Sequence, residues 1–317
     1  MIKTDILIVG GGPAGSACAW RLQQAGANCL VIDQQPFPRV KACAGWITPS
    51  VVRDLQMDPA EYPYSFTTFN SFRISIRGFK LKLPANDHAI RRYEFDDWLL
   101  RRSGAPFQVH TVRNITRTSG GYDVDGEFSA RYLVGAGGTY CPVYRSLFRS
   151  SNPKTRESLI AAMEEEFPYP FDDPQGRLWF FEHHLPGYAW FVPKANGYVN
   201  VGVGGWAEKL SARHDQLKNH WEYLLKEVER LGLIRGHDYK PIAHTYYLRQ
   251  PPAELRREDA FVIGDAAGLA TLDMGEGIGP AIKSGLLAAE AILHGGDYST
   301  ASIPRYSQSF PARLFIH

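Results

Sequence analysis

An α/β fold is predicted, in which a Rossmann-like domain is interrupted by an inserted, mostly antiparallel β-sheet domain. Three observations predict it. A short apolar run, a helix and a second apolar run open the chain as a β-α-β unit. A further strand-turn-helix stands near the other end, and the stretch between is alternating and aromatic.

Taken in order, Asp5 to Val9 is apolar and β-rich, Pro13 to Ala25 reads as a helix, and Asn28 to Ile32 is the second strand. Arg91 to Arg102 reads as a helix ended by Gly104, and Val109 to Thr118 and Tyr122 to Val134 as strands. Ala260 to Ile263 begins the late strand-turn-helix, which ends near Leu293. In the insertion, Phe72 to Leu83 alternates around Arg77-Gly78, the pattern of a hairpin with one wet face. Leu178 to Val203 is rich in Trp, Tyr, Phe and Val, which favours sheet. One long helix is expected next, with Leu210, His214, Leu217, Trp221, Leu224, Val228 and Leu231 on one stripe and Gly232 as its stop. The readings assign 1–62, 86–148 and 251–317 to the first domain and 63–85 and 149–250 to the inserted, substrate-facing one.

With 317 residues, 44% of them hydrophobic, the chain can bury its own core. Its formal charge of +2 is too balanced for a surface that binds nucleic acid through phosphates. Cys18, Cys29, Cys43 and Cys141 are spread singly and no secretory leader is apparent, so free thiols and a cytoplasmic location are expected. No apolar run approaches the roughly 18 residues of a membrane span, which leaves only peripheral membrane contact open.

The chemistry begins at VGGGPAG. Gly10 permits the tight turn after the strand, Gly12 lets a pyrophosphate approach the backbone, and Gly15 allows close strand-helix packing. Pro13 and Ala14 open the helix whose N-terminus faces the phosphates. Asp33, eighteen residues after Gly15, closes the second strand where a carboxylate accepts adenosine ribose hydroxyls. In FVIGDAAGLATLDMGEGIGPAIKSG, Gly264-Asp265 ends a buried strand and is placed to hold a ribityl hydroxyl. Gly275, Glu276, Gly277 and Ile278 bring backbone N–H groups and a helix start toward an anion. Two glycine turns of this kind point to FAD, whose reduced ring carries negative charge near N1.

Four segments, VGGGPAGSACA, FPRVKACAGW, GYAWFVPKANGYVNVGVGG and IGDAAG with MGEGI, together resemble the geranylgeranyl reductase family, itself related to flavoprotein hydroxylases and flavin-dependent halogenases. That resemblance implies FAD in a split Rossmann-like domain and saturation of isoprenoid double bonds. It further implies that Arg92 contacts the ribityl-phosphate region, with Arg91 as an alternative, and that Arg39, Lys41, Ala44 and Gly45 lie in a loop beside the flavin. Arg39 and Lys41 also read as solvated loop charges. Cys43, in Cys-Ala-Gly where the family has Cys-Gly-Gly, is either a proton donor or a small residue filling space against the cofactor. Tyr188 and Trp190 match the family's Y-x-W-x-F-P signature; two apart on a strand, they form either a pocket wall or an aromatic core.

Gly137 stands where many such flavoproteins have an acid, and no separate NAD(P)H domain is visible. The electron donor is therefore expected to be external: NAD(P)H, a reduced flavin or a ferredoxin-like protein. Leu272 replaces a frequent Pro, and the chain stops at His317, earlier than in typical members, which implies a pocket more open or closed by a partner. The substrate expected is an apolar small molecule or lipid. A monooxygenase or halogenase acting through an oxygen adduct at flavin C4a, and a non-catalytic flavin redox protein, are the alternatives.

Overall fold

The computed structural model describes residues 1–171, 173–251 and 254–307. The expected assignment of 251–317 therefore lies partly outside the described residues. In chain order the elements begin β1 (Ile2–Val9), α1 (Pro13–Gln24), β2 (Cys29–Asp33), β3 (Trp46–Ile47), α2 (Pro49–Asp54), β4 (Phe66–Ile76), β5 (Phe79–Ile90) and α3 (Arg92–Ser103). There follow β6 (Phe107–Val109), β7 (Ile115–Thr118), β8 (Gly121–Val124), β9 (Phe128–Gly135), β10 (Leu159–Pro168), β11 (Gly176–Phe180), β12 (Gly187–Lys194) and β13 (Tyr198–Trp206). The last are α4 (Ala207–Ala212), α5 (Leu217–Arg230), β14 (Ile242–Tyr247), β15 (Arg256–Arg257), β16 (Ala260–Val262) and α6 (Ile278–His294).

Two sheets divide these strands. The first runs β15-β16-β9-β1-β2-β6, with β7 and β8 attached through β9, and its central pairs β16–β9, β9–β1, β1–β2 and β2–β6 are parallel. The second runs β14-β10-β13-β12-β11-β4-β5-β3 and is antiparallel except between β11 and β4. Both ends of the chain thus meet in one Rossmann-like sheet, as an α/β fold with a split nucleotide domain requires. The second sheet also takes Trp46–Ile47 and the whole of β5 to Ile90.

The first sheet holds α1 and α6 very close. Ala14, Gly15, Ala17, Cys18 and Ala19 of α1 are all buried, and small residues at such positions let backbones approach. A Cβ on Gly15 would lie 1.9 Å from the Gly10 carbonyl oxygen, and one on Gly285 of α6 would lie 2.2 Å from that of Ala14. One face of the second sheet packs on α5 through Phe191, Val199, Val201 and Val203 against Trp221, Leu224 and Val228. Its other face looks toward the first domain.

Three elements differ from expectation. The long helix is two, α4 and α5, because His214 adopts a left-handed φ of 53° and Asp215 accepts the N–H of Gln216 at 2.8 Å and pairs with His220 at 2.7 Å. An Asp side chain that competes for backbone donors starts a helix rather than continuing one. The strand expected from Val109 to Thr118 breaks between β6 and β7, where Asp125 accepts the N–H of Asn114 at 2.7 Å. The strand expected from Tyr122 to Val134 folds back at Asp125-Gly126, both at positive φ, into β8 and β9.

Gly285→Ala tests the α1–α6 contact. The roughly 1 kcal/mol that Ala gains over Gly inside a helix is outweighed by forcing a methyl against backbone, so a net loss of about 1–3 kcal/mol is expected in urea unfolding. Gly120→Ala, with nothing within 4 Å, is expected to stay within about 0.5 kcal/mol.

Candidate active site

A cavity of about 450 Å³ opens between the two sheets. Of the residues singled out in the sequence, Gly10, Gly12, Pro13, Ala14, Asp33, Arg39, Lys41, Cys43, Ala44, Arg92, Tyr188, Trp190, Asp265, Gly275, Gly277 and Ile278 line it. Gly15, Gly45 and Gly264 do not reach the wall and serve packing. Gly45, at φ +68°, lets its loop cross the end of β5, since a Cβ there would lie 2.0 Å from the Ile90 carbonyl oxygen. Gly264, at φ +60°, sits between Ala14 and Ala281 and gives its N–H to Ser284.

At one end stands the first glycine turn. Gly11 donates its N–H to the Asp33 carboxylate at 2.8 Å, which fixes the turn against β2. Among the described residues nothing accepts the N–H of Gly12 or Ala14 at the start of α1. A Cβ on Gly12 would meet the Arg39 guanidinium at 3.4 Å. Free backbone donors, a helix N-terminus and an arginine fit an anionic bridge. The second turn shows the same incompleteness. The Glu276 carboxylate accepts the N–H of Gly279; contrary to expectation the N–H groups of Gly275 and Glu276 are engaged within the turn, by the Thr271 carbonyl at 3.1 Å and Thr271 Oγ1 at 3.0 Å, but nothing described accepts those of Gly277 and Ile278 at the head of α6. Burial and the neighbouring acids Asp87, Asp273 and Asp265 push the Glu276 carboxyl up to about 7. Lys154 donates to the Asp265 carbonyl at 2.9 Å, its own pKa lowered to about 8 by burial. These two turns fit a dinucleotide such as FAD.

Between them lie the charged and thiol groups. Arg92 is buried and grips Asp96 with two bonds of 2.6 and 2.7 Å, and Arg39 approaches the same carboxylate at 3.5 Å. Arg91 turns the other way, to Glu166 and Glu94 and over the Tyr198 ring. Cys43 Sγ accepts the Gly45 N–H at 3.4 Å. Desolvation raises its pKa, while Arg92 acts in the opposite direction.

The wall opposite is set by strand register. Directly paired residues in antiparallel strands share a face, so Phe180, Tyr188, Gly204, Ala162 and His244 form one row and Leu178, Trp190, Gly202 and Glu164 the next. Gly202 has no room for a Cβ because the Trp190 indole lies over it, 2.2 Å from where that atom would be. Trp190 Nε1 donates to Asn200 Oδ1 at 2.6 Å, and Tyr188 Oη donates to the Met274 carbonyl at 2.6 Å. The Tyr246 phenol covers Gly275, which has no Cβ to obstruct it. Beyond Tyr188 and Tyr246 a narrow apolar slot continues between Phe180, Phe181, Trp206, Leu248 and Leu272.

Glu164, His244, Tyr246 and Thr139 are among the cavity residues that were not foreseen. Glu164 sits in the run Glu164-Glu165-Glu166, which reads as solvated, and only the register of β10 shows that alternate members face inward. The other inward member, Glu166, is neutralised by Lys194 and by Arg91 at 2.8 Å, which depress its pKa.

A family model described as FAD dependent oxidoreductase matches residues 5–96. Over 314 residues, 92% of this chain and 75% of the relative, the chain is 33% identical to an uncharacterized protein of Methanosarcina barkeri. It is 28% identical over 334 residues to digeranylgeranylglycerophospholipid reductase 1 of Methanothermobacter thermautotrophicus, covering 96% and 82% of the two chains. The chain belongs to the geranylgeranyl reductase family of FAD-dependent oxidoreductases. It is an FAD enzyme of the geranylgeranyl reductase type. A menaquinone reductase of Mycolicibacterium smegmatis is 29% identical over 344 residues, 99% of this chain and 82% of that one. In fold, the geranylgeranyl bacteriochlorophyll reductase-like protein of Thermoplasma acidophilum superposes with a TM-score of 0.79 at 24% identity, covering 94% of this chain and 80% of that one.

Two measurements follow. Asp265→Ala is expected to purify with markedly less FAD, read from the flavin absorbance per protein; full occupancy would remove Asp265 from the site. Glu164, whose folded carboxyl is raised to about 7 from an ordinary 4.5, favours its protonated form in the fold, so its contribution is lost as pH rises from about 4.5 through 7. Glu164→Gln is therefore expected to stabilise the protein by up to about 3 kcal/mol at pH 8 and hardly at all at pH 5, measured by urea unfolding at both.

Proposed function

We propose that this enzyme saturates carbon–carbon double bonds of an apolar, isoprenoid-like substrate. The observation that carries the reading is the wall formed by Leu178, Tyr188, Trp190, Ala162 and Met274, which faces the glycine turns and runs on into the slot beyond Tyr188 and Tyr246. Such a surface holds an alkyl chain by area alone, at about 25 cal/mol per Å² buried. The relatives' names, which include geranylgeranyl diphosphate and digeranylgeranylglycerophospholipid reductases, agree with a chain of this kind.

In this reading Gly12, Pro13, Ala14 and Arg39 hold the pyrophosphate of FAD, Asp33 the ribose, Arg92 and Asp265 the ribityl region, and Gly275, Gly277 and Ile278 the ring edge. Gly10 shapes the turn, and Lys41 and Ala44 flank the ring beside Cys43. When bound and reduced, FAD supplies a hydride from N5. The chain's own residues supply the rest. Trp190 and Tyr188 keep water from the alkene; because the Tyr188 hydroxyl is engaged with Met274, its part is positioning. Burial keeps Cys43 a thiol, so it carries the proton that the second carbon needs, and the Arg92 guanidinium beside it stabilises the thiolate left behind. Electrons reach the site from an external donor: NAD(P)H, a reduced flavin or a ferredoxin-like protein. No helix among the described residues is long and apolar enough to cross a membrane.

Dithionite-reduced holoenzyme mixed without air with polyprenyl lipids and quinones is expected to yield products heavier by two hydrogens per saturated bond. Unchanged alkenes, together with a long-lived oxygen adduct when air is admitted, would make the protein an oxygenase instead. Cys43→Ala is expected to keep its FAD and lose roughly a hundredfold or more in kcat; an unchanged kcat would place the proton elsewhere.

A further inference from the structure

The far end of the cavity wall holds two polar groups that the mechanism does not use. Glu164 is 2% exposed, and neither carboxylate oxygen meets a donor in good hydrogen-bond geometry, although the Asn200 amide and Lys194 lie near enough to favour its charge against burial; the buried Nδ1 of His244 has no partner either. The two side chains stand 3.7 Å apart and both line the cavity. They come from adjacent strands, Glu164 on β10 and His244 on β14, and lie across the small residues Gly202, Gly204 and Ala162 from Trp190 and Tyr188.

Leaving a buried polar group unpaired costs free energy, and a buried carboxyl more than most. Glu166, two residues along the same face, shows how this sheet treats an acid that is purely structural: it is matched by Lys194 and Arg91. Glu164 and His244 have no such partners at bonding distance, and they open onto a cavity whose wall beside them is Ala162, Leu178 and Trp190, with the cations Lys41 and Arg92 nearby. The pair offers both a donor and an acceptor. Burial holds the imidazole neutral, its pKa lowered to about 4 with Lys41 and Arg92 adding to the effect, and it keeps much of the carboxyl protonated near neutral pH. A pair of that kind suits an uncharged oxygen. A diphosphate, even with Lys41 and Arg92 nearby, would bring its charges directly against the Glu164 carboxyl in a low-dielectric pocket.

We propose that Glu164 and His244 form a polar subsite that receives one uncharged oxygen, a carbonyl or a hydroxyl, on an otherwise apolar isoprenoid substrate. The inference rests on the isoprenoid reading above and adds to it: the substrate carries a quinone-like or alcohol head and is neither a pure hydrocarbon nor a diphosphate. The chain then lies against the cavity-facing side of Trp190 and Tyr188, with its head fixed at one end. Fixing the head also sets which double bond reaches the reacting position.

The test is equilibrium binding to the oxidised holoenzyme, read by calorimetry and by perturbation of the flavin absorbance, so that turnover is not the readout. Four ligands of equal chain length are compared: a prenylated quinone, a polyprenol, the polyprenyl diphosphate and the hydrocarbon. The quinone, the alcohol or both are expected to bind at least about tenfold tighter than the other two, and whichever is tighter identifies carbonyl or hydroxyl. Glu164→Leu is expected to abolish that advantage while hydrocarbon binding holds or improves. Glu164→Gln, which still hydrogen-bonds, keeps most of it, and His244→Phe, an independent replacement should Glu164→Leu not fold, reduces it. Equal binding of all four, tightest binding of the diphosphate, or indifference of the preference to both Glu164→Leu and His244→Phe would overturn the subsite and leave the isoprenoid reading standing. Failure of every ligand to bind would overturn both.

Discussion

The first turn of the chain has no room for a side chain at Gly15, whose Cβ would overlap the Gly10 carbonyl, and α6 has none at Gly285, whose Cβ would overlap that of Ala14. Because three backbones meet this closely, α1 and α6 pack side by side although more than 250 residues separate their starts. Their N-termini open toward the same cavity, each with backbone N–H groups that the fold leaves unmatched. The two halves of the dinucleotide site are brought together by this contact. Everything inserted between them, including the whole second sheet, must fit around it.

The second sheet meets that requirement by presenting two different faces. One is closed by α5. The other is a rowed surface in which glycines at 202 and 204 make room for the Trp190 indole, between Tyr188 on one side and Ala162, Glu164 and His244 on the other. Tyr188 and Tyr246 join this face to Met274 and Gly275, so the C-terminal glycine turn is held from both sides. Charge follows the same division. Arg92, Asp96 and Arg39 form a buried network at the floor, Lys194 neutralises Glu166, and Glu164 on the second sheet is left facing the cavity.

Local rules made much of this legible. The β-α-β opening, the strand-turn-helix after Ala260 and the two-residue spacing of Tyr188 and Trp190 depend on periodicity and on glycine placement, both of which are read from neighbouring residues. The inward role of Glu164 depends on β10 pairing with β13 and β14, a long-range fact that a run of three glutamates conceals. The helix break at His214 was hidden because its apolar stripe continues in phase across the gap, while the break itself comes from a backbone conformation and an Asp cap. Gly15, Gly45 and Gly264 stand within the motifs yet act on packing: a glycine motif marks where backbones approach but does not say whether the neighbour is a ligand or another strand.

The most direct test of the account is a single turnover. Protein whose FAD has been stoichiometrically reduced is mixed without oxygen with an excess of a prenylated ligand, and flavin reoxidation and product mass are followed together. The account predicts one saturated double bond for each FAD reoxidised, at one position in the chain. Flavin that stays reduced until air enters, with the ligand recovered unaltered, would contradict it.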